Sequence, residues 1–298
     1  MGVTLSLLSM LCFGSNILIS RIAMGRMPVE LGFFVVLVVN ILFAGAVFVV
    51  ELQLRTTPFA WHWREAAFFA LGGTVGTYLG RRFMFDMVRI LGPARSSVVH
   101  SSAPAFTLLL AWLLVGERLG SYELMLMGLV IFGLWITQPA DKSASSEHRP
   151  SRDLLRKGAL VGLATIIGFS LGNVCRGYAM RTWNEAVFGT IIASAAALLC
   201  QLAATRDWRA AWRGIVAADR KGLWLYGWCG IATAGGAMFL VSAMQFLEIS
   251  LAVLVTHSTP LMIFPVSLFF FKNREGLTLR TLVGAGMVLT GIALLALR

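Results

Sequence analysis

Two short segments carry histidine, hydroxyl residues and proline in the same order within apolar surroundings. The first reads His-Ser-Ser-Ala-Pro over 100–104, and the second reads His-Ser-Thr-Pro over 257–260. An imidazole can shuttle protons or hydrogen-bond a solute, and a proline inside a helix frees a backbone carbonyl that a polar cavity tolerates. We therefore expect His100 and His257 to face a shared polar pathway. The alternative is that each ring is a neutral side chain satisfied by a neighbouring helix.

The third long apolar stretch contains charged side chains, namely Arg81, Arg82 and Asp86. A charge inside a membrane costs about 2.5–3.5 kcal/mol, so it usually faces a cavity or a partner. Arg82 and Asp86 stand four residues apart and are predicted to pair on one helical face. Tyr78 precedes Arg82 by the same spacing, so an aromatic ring beside a guanidinium would suit an anionic or aromatic substrate. The alternative is an internal ion pair near a helix end, with snorkelling side chains.

Two amides and one further arginine complete the polar set inside the apolar stretches. Asn16 and Asn173 are expected to line the same pathway, although such amides can also join helices for about 0.6 kcal/mol. Arg176 lies near a predicted helix end and is expected to snorkel. The candidate pathway residues are therefore Asn16, Tyr78, Arg82, Asp86, His100, Ser101, Asn173, His257 and Ser258.

Motifs for other chemistries are missing from the sequence. There is no Walker-type glycine loop, no nucleophile elbow and no HExxH metal pair. We therefore expect no cofactor, no metal and no catalytic residues. The four cysteines all fall in apolar stretches without metal-type clustering.

The elements that must hold these residues are apolar helices. Hydrophobic residues make up 58% of the 298-residue chain and charged residues only 13%, about half the share usual in soluble domains. Continuous apolar runs near the length that crosses about 30 Å of hydrocarbon predict helices rather than barrel strands. We predict an all-α polytopic membrane protein with ten spans, at about 3–20, 31–50, 66–88, 96–115, 122–138, 158–180, 186–204, 223–247, 250–271 and 281–297.

The two halves of the chain repeat at an offset of about 156 residues, which relates Pro104 to Pro260 and Arg118 to Arg274. The polar segment 139–157 separates a first half, 1–138, from a second half, 158–298. Five spans in each half would insert the second half with the opposite orientation. Such inverted repeats form their substrate sites where the two halves meet, near the bilayer midplane.

The stretch from Gly92 to Leu134, with Gly-Glu-Arg-Leu at 116–119, resembles the EamA-type domain of the drug/metabolite transporter superfamily. A looser second copy runs from Leu247 to Leu294 and reads Lys-Asn-Arg-Glu-Gly-Leu-Thr at 272–278. The resemblance implies ten helices and transport of a small metabolite, with export favoured. We expect a secondary transporter of a small polar or amphipathic metabolite such as an amino acid, working by alternating access. The alternatives are exchange of an anionic solute and, less favoured, a membrane-embedded enzyme.

Basic residues predict the orientation of the chain. The connectors after odd-numbered spans hold 17 Lys and Arg, against 4 after even-numbered spans, which predicts both termini outside a plasma (inner) membrane. Relatives with ten helices more commonly have both termini inside. The basic connectors also account for the net charge of +11, so the expected partners are the lipid bilayer and a small-molecule substrate, not nucleic acid. We expect a monomer or homodimer.

The connector after the seventh span carries a pattern of its own. Trp208, Trp212 and Val216 recur at helical spacing, while Arg209 and Arg213 supply basic positions. This pattern predicts a short amphipathic helix lying in the headgroup plane. The alternative is a solvated loop.

Overall fold

A computed structural model describes residues 1–56, 58–92, 96, 99–137, 152–259, 261–262 and 279–297. Every regular element in this part of the chain is helical. The elements are α1 (Gly2–Ala23), α2 (Val29–Leu54), α3 (Trp63–Gly72), a π-helical segment (Gly73–Gly80), α4 (Arg81–Leu91), α5 (Ala103–Val115), α6 (Ser121–Thr137), α7 (Arg152–Thr182), α8 (Ala186–Ala204), α9 (Trp208–Val216), α10 (Arg220–Ala243), α11 (Ile249–Thr256) and α12 (Leu279–Ala296).

Five of the helices are long and apolar enough to cross a membrane by themselves, and they lie in α1, α2, α7, α8 and α10. Shorter apolar helices occupy Ala103–Val115, Ser121–Thr137 and Leu282–Ala296. The prediction of an all-α, multi-pass membrane protein is confirmed at this level. The predicted span 186–204 coincides with α8, whereas α7 begins at Arg152, six residues before the predicted start at 158. The rest of the predicted connecting segment, 139–151, lies outside the described residues.

The third apolar stretch is one continuous helix of mixed type. It runs through α3, the π-helical segment and α4 without interruption. Glycines let its central part approach α7 closely, because a Cβ on Gly172 would lie only 2.6 Å from the Cα of Gly76. Glycines on both helices therefore let the two backbones touch.

The two histidine segments interrupt helices that the sequence predicts as continuous. Residues 101–102 form a turn, and α5 begins only at Ala103, with Pro104 in its first turn, where the missing N–H is tolerated. In the second segment α11 ends at Thr256, and residues 257–259 form a turn. Residues 263–271 of that predicted span lie outside the described part of the chain.

The surface of the bundle is apolar in the way a lipid-facing surface must be. Large apolar side chains such as Leu42, Trp112 and Leu199 are more than half exposed. The interior consists of several helix-to-helix contacts, of which the pairings of α1 with α10 and α6 with α12 are the most extensive. Leu126, Val130 and Leu134 of α6 pack with Val288 and Ile292 of α12.

The short helix predicted after the seventh span is present as α9. The Asp207 side chain caps its first turn by accepting a hydrogen bond from the Ala210 amide at 2.9 Å. Trp208 packs edge-on against Phe34 with ring centroids 5.9 Å apart, while Trp212 remains 67% exposed. The prediction of a helix is confirmed, and its placement in the headgroup plane stays a prediction.

Candidate functional site

The two repeated histidines lie against each other inside the bundle. The ring centroids of His100 and His257 are 5.5 Å apart with planes tilted by 42°. Phe169 of α7 packs edge-on against His100 at 5.3 Å. Two segments far apart in sequence thus place their imidazoles side by side, and their role in a shared polar pathway stays a prediction.

The two rings differ in how their nitrogens are used. Nδ1 of His257 lies 2.9 Å from the carbonyl oxygen of Val253, which can only accept, so this nitrogen carries the proton. In the neutral ring Nε2 is then an acceptor. Nδ1 of His100 is buried and has no hydrogen-bond partner among the described residues. A buried nitrogen without a partner is costly, so this ring has hydrogen-bonding capacity that the described residues do not use.

The serines that follow the histidines do not share one environment. Ser258 is fully buried, and its hydroxyl donates to the Leu254 carbonyl at 3.1 Å. The hydroxyl proton is thereby used within its own chain segment, and the role of Ser258 as a pathway residue stays a prediction. Ser101 is half-buried in the turn before α5.

A buried arginine joins α7 to the π-helical segment. Nη2 of Arg176 donates to the Gly72 carbonyl at 3.0 Å and to Oγ1 of Thr77 at 2.5 Å. Nη1 lies 3.5 Å from Oδ1 of Asn173. The expectation that Arg176 snorkels away from the bundle is wrong, since hydrogen-bond acceptors in the bundle hold the guanidinium inside.

A second arginine lies one helical turn beyond Thr77. The guanidinium of Arg81 lies over the ring of Phe33, with Cζ 5.2 Å from the centroid. Its Nε is buried without a hydrogen-bond partner among the described residues. Gly80, the residue before Arg81, packs on Phe169, the ring that also contacts His100.

The predicted partnership of Arg82 with its helical neighbours is wrong. Asp86 lies 3.8 Å from Arg89 instead, and Arg82 is exposed. Tyr78 is 8% exposed and packs in an apolar cluster with Phe33, so it does not form an aromatic seat for Arg82. The π-helical turns around Tyr78 are wider than those of an α-helix, so residues four apart no longer superimpose.

The two asparagines have separate neighbours in the structure. Asn173 is 7% exposed and contacts Arg176, as described above. Asn16 is half-buried in α1, and its backbone carbonyl accepts a weak hydrogen bond from the Cys229 thiol of α10 at 3.9 Å. Only Asn173 therefore belongs to the polar group around the π-helical segment.

A carboxylate at the start of the Gly-Glu-Arg-Leu run forms a contact that sequence reasoning missed. Gly116 ends α5 in the left-handed region, φ +69°, which turns Glu117 towards the bundle. The buried Glu117 carboxylate accepts from the backbone amides of Ile249 at 3.0 Å and Ser250 at 3.1 Å, and from the Ser250 hydroxyl. It thereby caps the first turn of α11, as an acidic group at a helix N-terminus does.

Charged neighbours surround this cap. Arg181 lies 3.0 Å from Glu248 and 3.7 Å from Glu117. Partial burial, followed by the nearby Glu117, raises the pKa of the Glu248 carboxyl above its ordinary value. Glu117 and Glu248 lie in loops at one end of the bundle. We call this end, formed by residues 55–56, 58–62, 116–120, 182–185 and 244–248, the latch end.

In the part of the chain that the structure describes, an all-helical bundle with an apolar surface and long apolar helices is the fold of a multi-pass membrane protein. The EamA-like transporter family matches residues 1–138 and 156–297, so its domain is present twice, and the chain belongs to this family. The resemblance seen in the sequence is confirmed. His100 therefore comes from the first copy and His257 from the second.

Solved structures support the same fold. A crystal structure of a protein 17% identical in sequence superposes with a TM-score of 0.70, covering 99% of this chain and 98% of that chain. No curated protein matches the chain. The family assignment favours a transporter of the drug/metabolite type over an enzyme.

Proposed function

We propose that this protein is a secondary transporter that carries a small polar or amphipathic metabolite by alternating access. The close approach of His100 and His257, one from each copy of the domain, carries the proposal. In a two-copy transporter the interface between the copies is where a solute meets both moving parts. Export is the direction we favour, in an inner membrane.

The proposal includes ten spans in two inverted five-helix repeats. Support comes from the five long helices, the shorter apolar helices and the two matched segments. An odd number of spans in each copy reverses the second copy in the membrane. The excess of Lys and Arg in alternate connectors then puts the termini outside.

The histidine pair provides the test of the transport site. A solute would first be found by screening metabolites for thermal stabilisation of the purified protein, then followed by counterflow in proteoliposomes. Replacing His100 or His257 by alanine should cut the initial rate about tenfold or more, because hydrogen bonds made to the solute are lost. His62→Ala is the matched control, since that ring lies stacked on Trp183 at the latch end.

Two outcomes would contradict the proposal. Normal counterflow in both histidine variants would remove the pair from the pathway. Chemical conversion of the solute in the proteoliposomes, rather than its unchanged passage, would favour a membrane-embedded enzyme.

Orientation has its own test. A single cysteine replacing Arg213 should be shielded from a membrane-impermeant thiol reagent in intact cells, while one replacing Asn184 should react. Both positions are exposed, so burial within the protein does not protect either. Labelling of the Arg213 position from outside would reverse the assigned sidedness.

A further inference from the structure

Arg81 and Arg176 are cations within the bundle that have no acidic partner among the residues the structure describes. The ion pairs among the described residues all involve other basic groups. A positive charge inside a membrane protein usually has a counter-charge or faces a polar pathway. Within the described part of the chain, these two have no counter-charge supplied by the protein.

Arg176 is held in a fixed position with donors to spare. A guanidinium has five N–H groups, and the contacts to Gly72, Thr77 and Asn173 use three of them. The Nε–H and one N–H on Nη1 remain. Fixing a planar guanidinium before a ligand arrives lowers the entropy that binding must overcome.

Arg81 is even less satisfied. Among the described residues it makes no hydrogen bond, and its Nε is buried without a partner. Its one described interaction is with the Phe33 ring, which attracts the cation without saturating its donors. A structural role as a cap for the Gly72 carbonyl accounts for Arg176, but it leaves Arg81 unexplained.

The segment between the two arginines is the π-helical stretch Gly73–Gly80. Such stretches occur frequently at functional sites, because the widened turn displaces side chains from regular α-helical positions. Arg176 contacts this stretch at Thr77, and Arg81 follows it directly. Phe169 packs against both Gly80 and His100, so the residue before Arg81 and the histidine pair share one aromatic neighbour.

We propose that Arg81 and Arg176 bind the carboxylate or phosphate group of the transported solute, which makes this protein a carrier of organic anions. Planar guanidinium groups match both anions with paired, charge-assisted hydrogen bonds. This assignment rests on the proposed transport function and narrows it to one substrate class. His100 and His257 would then contact the remainder of the solute.

The test uses sets of ligands that differ mainly in charge. Phenylacetate is compared with phenylacetamide and phenethylamine, succinate with succinamide, and glycerol phosphate with glycerol. Each is titrated against the purified full-length protein while its thermal midpoint is measured. We expect at least one anion to stabilise the protein and its neutral or cationic counterpart not to. The carboxylates and the phosphate distinguish the two anion classes.

Variants then assign the effect to the two arginines. Arg81→Gln and Arg176→Gln should each weaken binding of the stabilising anion about tenfold or more. Arg81→Lys and Arg176→Lys keep the charge and should recover part of the affinity. Arg89→Gln is the control, because Arg89 lies on the same helix as Arg81 and its side chain is 66% exposed. Size-exclusion profiles identify any variant that fails to fold.

Specific outcomes overturn the assignment. One is that no anion in the panel raises the thermal midpoint of the protein. The other is that an anion raises the midpoint of Arg81→Gln and of Arg176→Gln as much as that of the unmodified protein. Stabilisation by a neutral or cationic ligand that is lost in His100→Ala would overturn the anion class while supporting the transport site. Stabilisation by an anion that is not carried across proteoliposomes would support the anion site and count against transport.

Discussion

An ion pair joins the two domain copies at each end of the bundle, but the two pairs differ in how deeply they are buried. At the latch end, Arg55 of the first copy lies 2.6 Å from Glu185 of the second, and both side chains are at most 15% exposed. At the opposite end, formed by loops 24–28 and 217–219, Arg26 lies 2.9 Å from Asp219, and both are 42% exposed. Removing one partner of a buried ion pair lowers the free energy of unfolding far more than removing one partner of an exposed pair.

Aromatic packing adds to the contacts between the two domain copies at the latch end. Phe59 and Trp61 of the first copy surround Trp183 and Phe188 of the second, with centroid distances of 5.0–6.1 Å. The indole N–H of Trp183 also donates to the Ala60 carbonyl at 3.0 Å. The comparison teaches that this conformation is closed more firmly at the latch end than at the opposite end, as far as the described residues extend. In an alternating-access cycle, opening the latch end would then be the more costly movement.

The largest effect is expected at Glu117. Glu117→Ala would leave the buried amides of Ile249 and Ser250 without an acceptor, at about 1–3 kcal/mol each. We expect a markedly lower unfolding midpoint of the purified protein. Glu30→Ala is the control, since that carboxylate is 70% exposed and should matter little. Equal unfolding midpoints for the two variants would show that the Glu117 cap on α11 does not stabilise the latch end.

A direct comparison of the two ends replaces one arginine at each. Arg55→Gln should cost about 1.5–3 kcal/mol, because charge-assisted hydrogen bonds to Glu185 and Glu51 are lost. Arg26→Gln should cost about 0–1 kcal/mol, as for other exposed pairs. Denaturant titration of both variants measures the difference. A larger loss for Arg26→Gln would reverse the ranking of the ends.

The smallest effects concern pH and differ in sign between the ends. The pKa of Glu248 is raised by partial burial and by Glu117, so its contribution is present below the ordinary pKa and is lost as pH rises through the raised value. Arg26 and the Lys221 amide lower the pKa of Asp219, so that contribution is present above the ordinary value and is lost as pH falls through the lowered one.

Stability profiles of Glu248→Gln and Asp219→Asn separate these two contributions. Relative to the unmodified protein, Glu248→Gln should reduce the loss of stability that occurs as pH rises above the ordinary carboxyl pKa. Asp219→Asn should flatten the decline on the acid side. Profiles in which both variants change the same side would contradict the assigned electrostatics.

The sequence predicted the class of fold and the meeting of the histidines because both depend on strong, repeated patterns. Long apolar runs identify helices, and a motif that recurs in two related halves identifies symmetry-related places. Single residues were harder. Arg82 and Asp86 do lie four apart in the α-helical α4, but Asp86 contacts Arg89 instead, because spacing alone does not say which of two nearby arginines a carboxylate faces.

Long-range partners explain the other differences. Arg176 was expected to reach water because it lies near a helix end, yet acceptors more than 90 residues away in sequence hold it inside. Glu117 was recognised only as part of a family motif. Its cap on α11 is a contact with residues more than 130 positions away, which spacing along the chain does not indicate.

The central claim, that the two ends open alternately, can be measured without knowing the solute. Spin labels on cysteines replacing Leu54 and Asn184 report the latch end, and labels replacing Gly25 and Ala217 report the opposite end; all four positions are exposed. Distances are measured by pulsed electron resonance in lipid nanodiscs, in a background without native cysteines. Introducing Arg55→Gln should lengthen the latch-end distance and shorten the opposite one. A latch-end increase with an unchanged or longer opposite distance would indicate simple loosening and contradict alternating access.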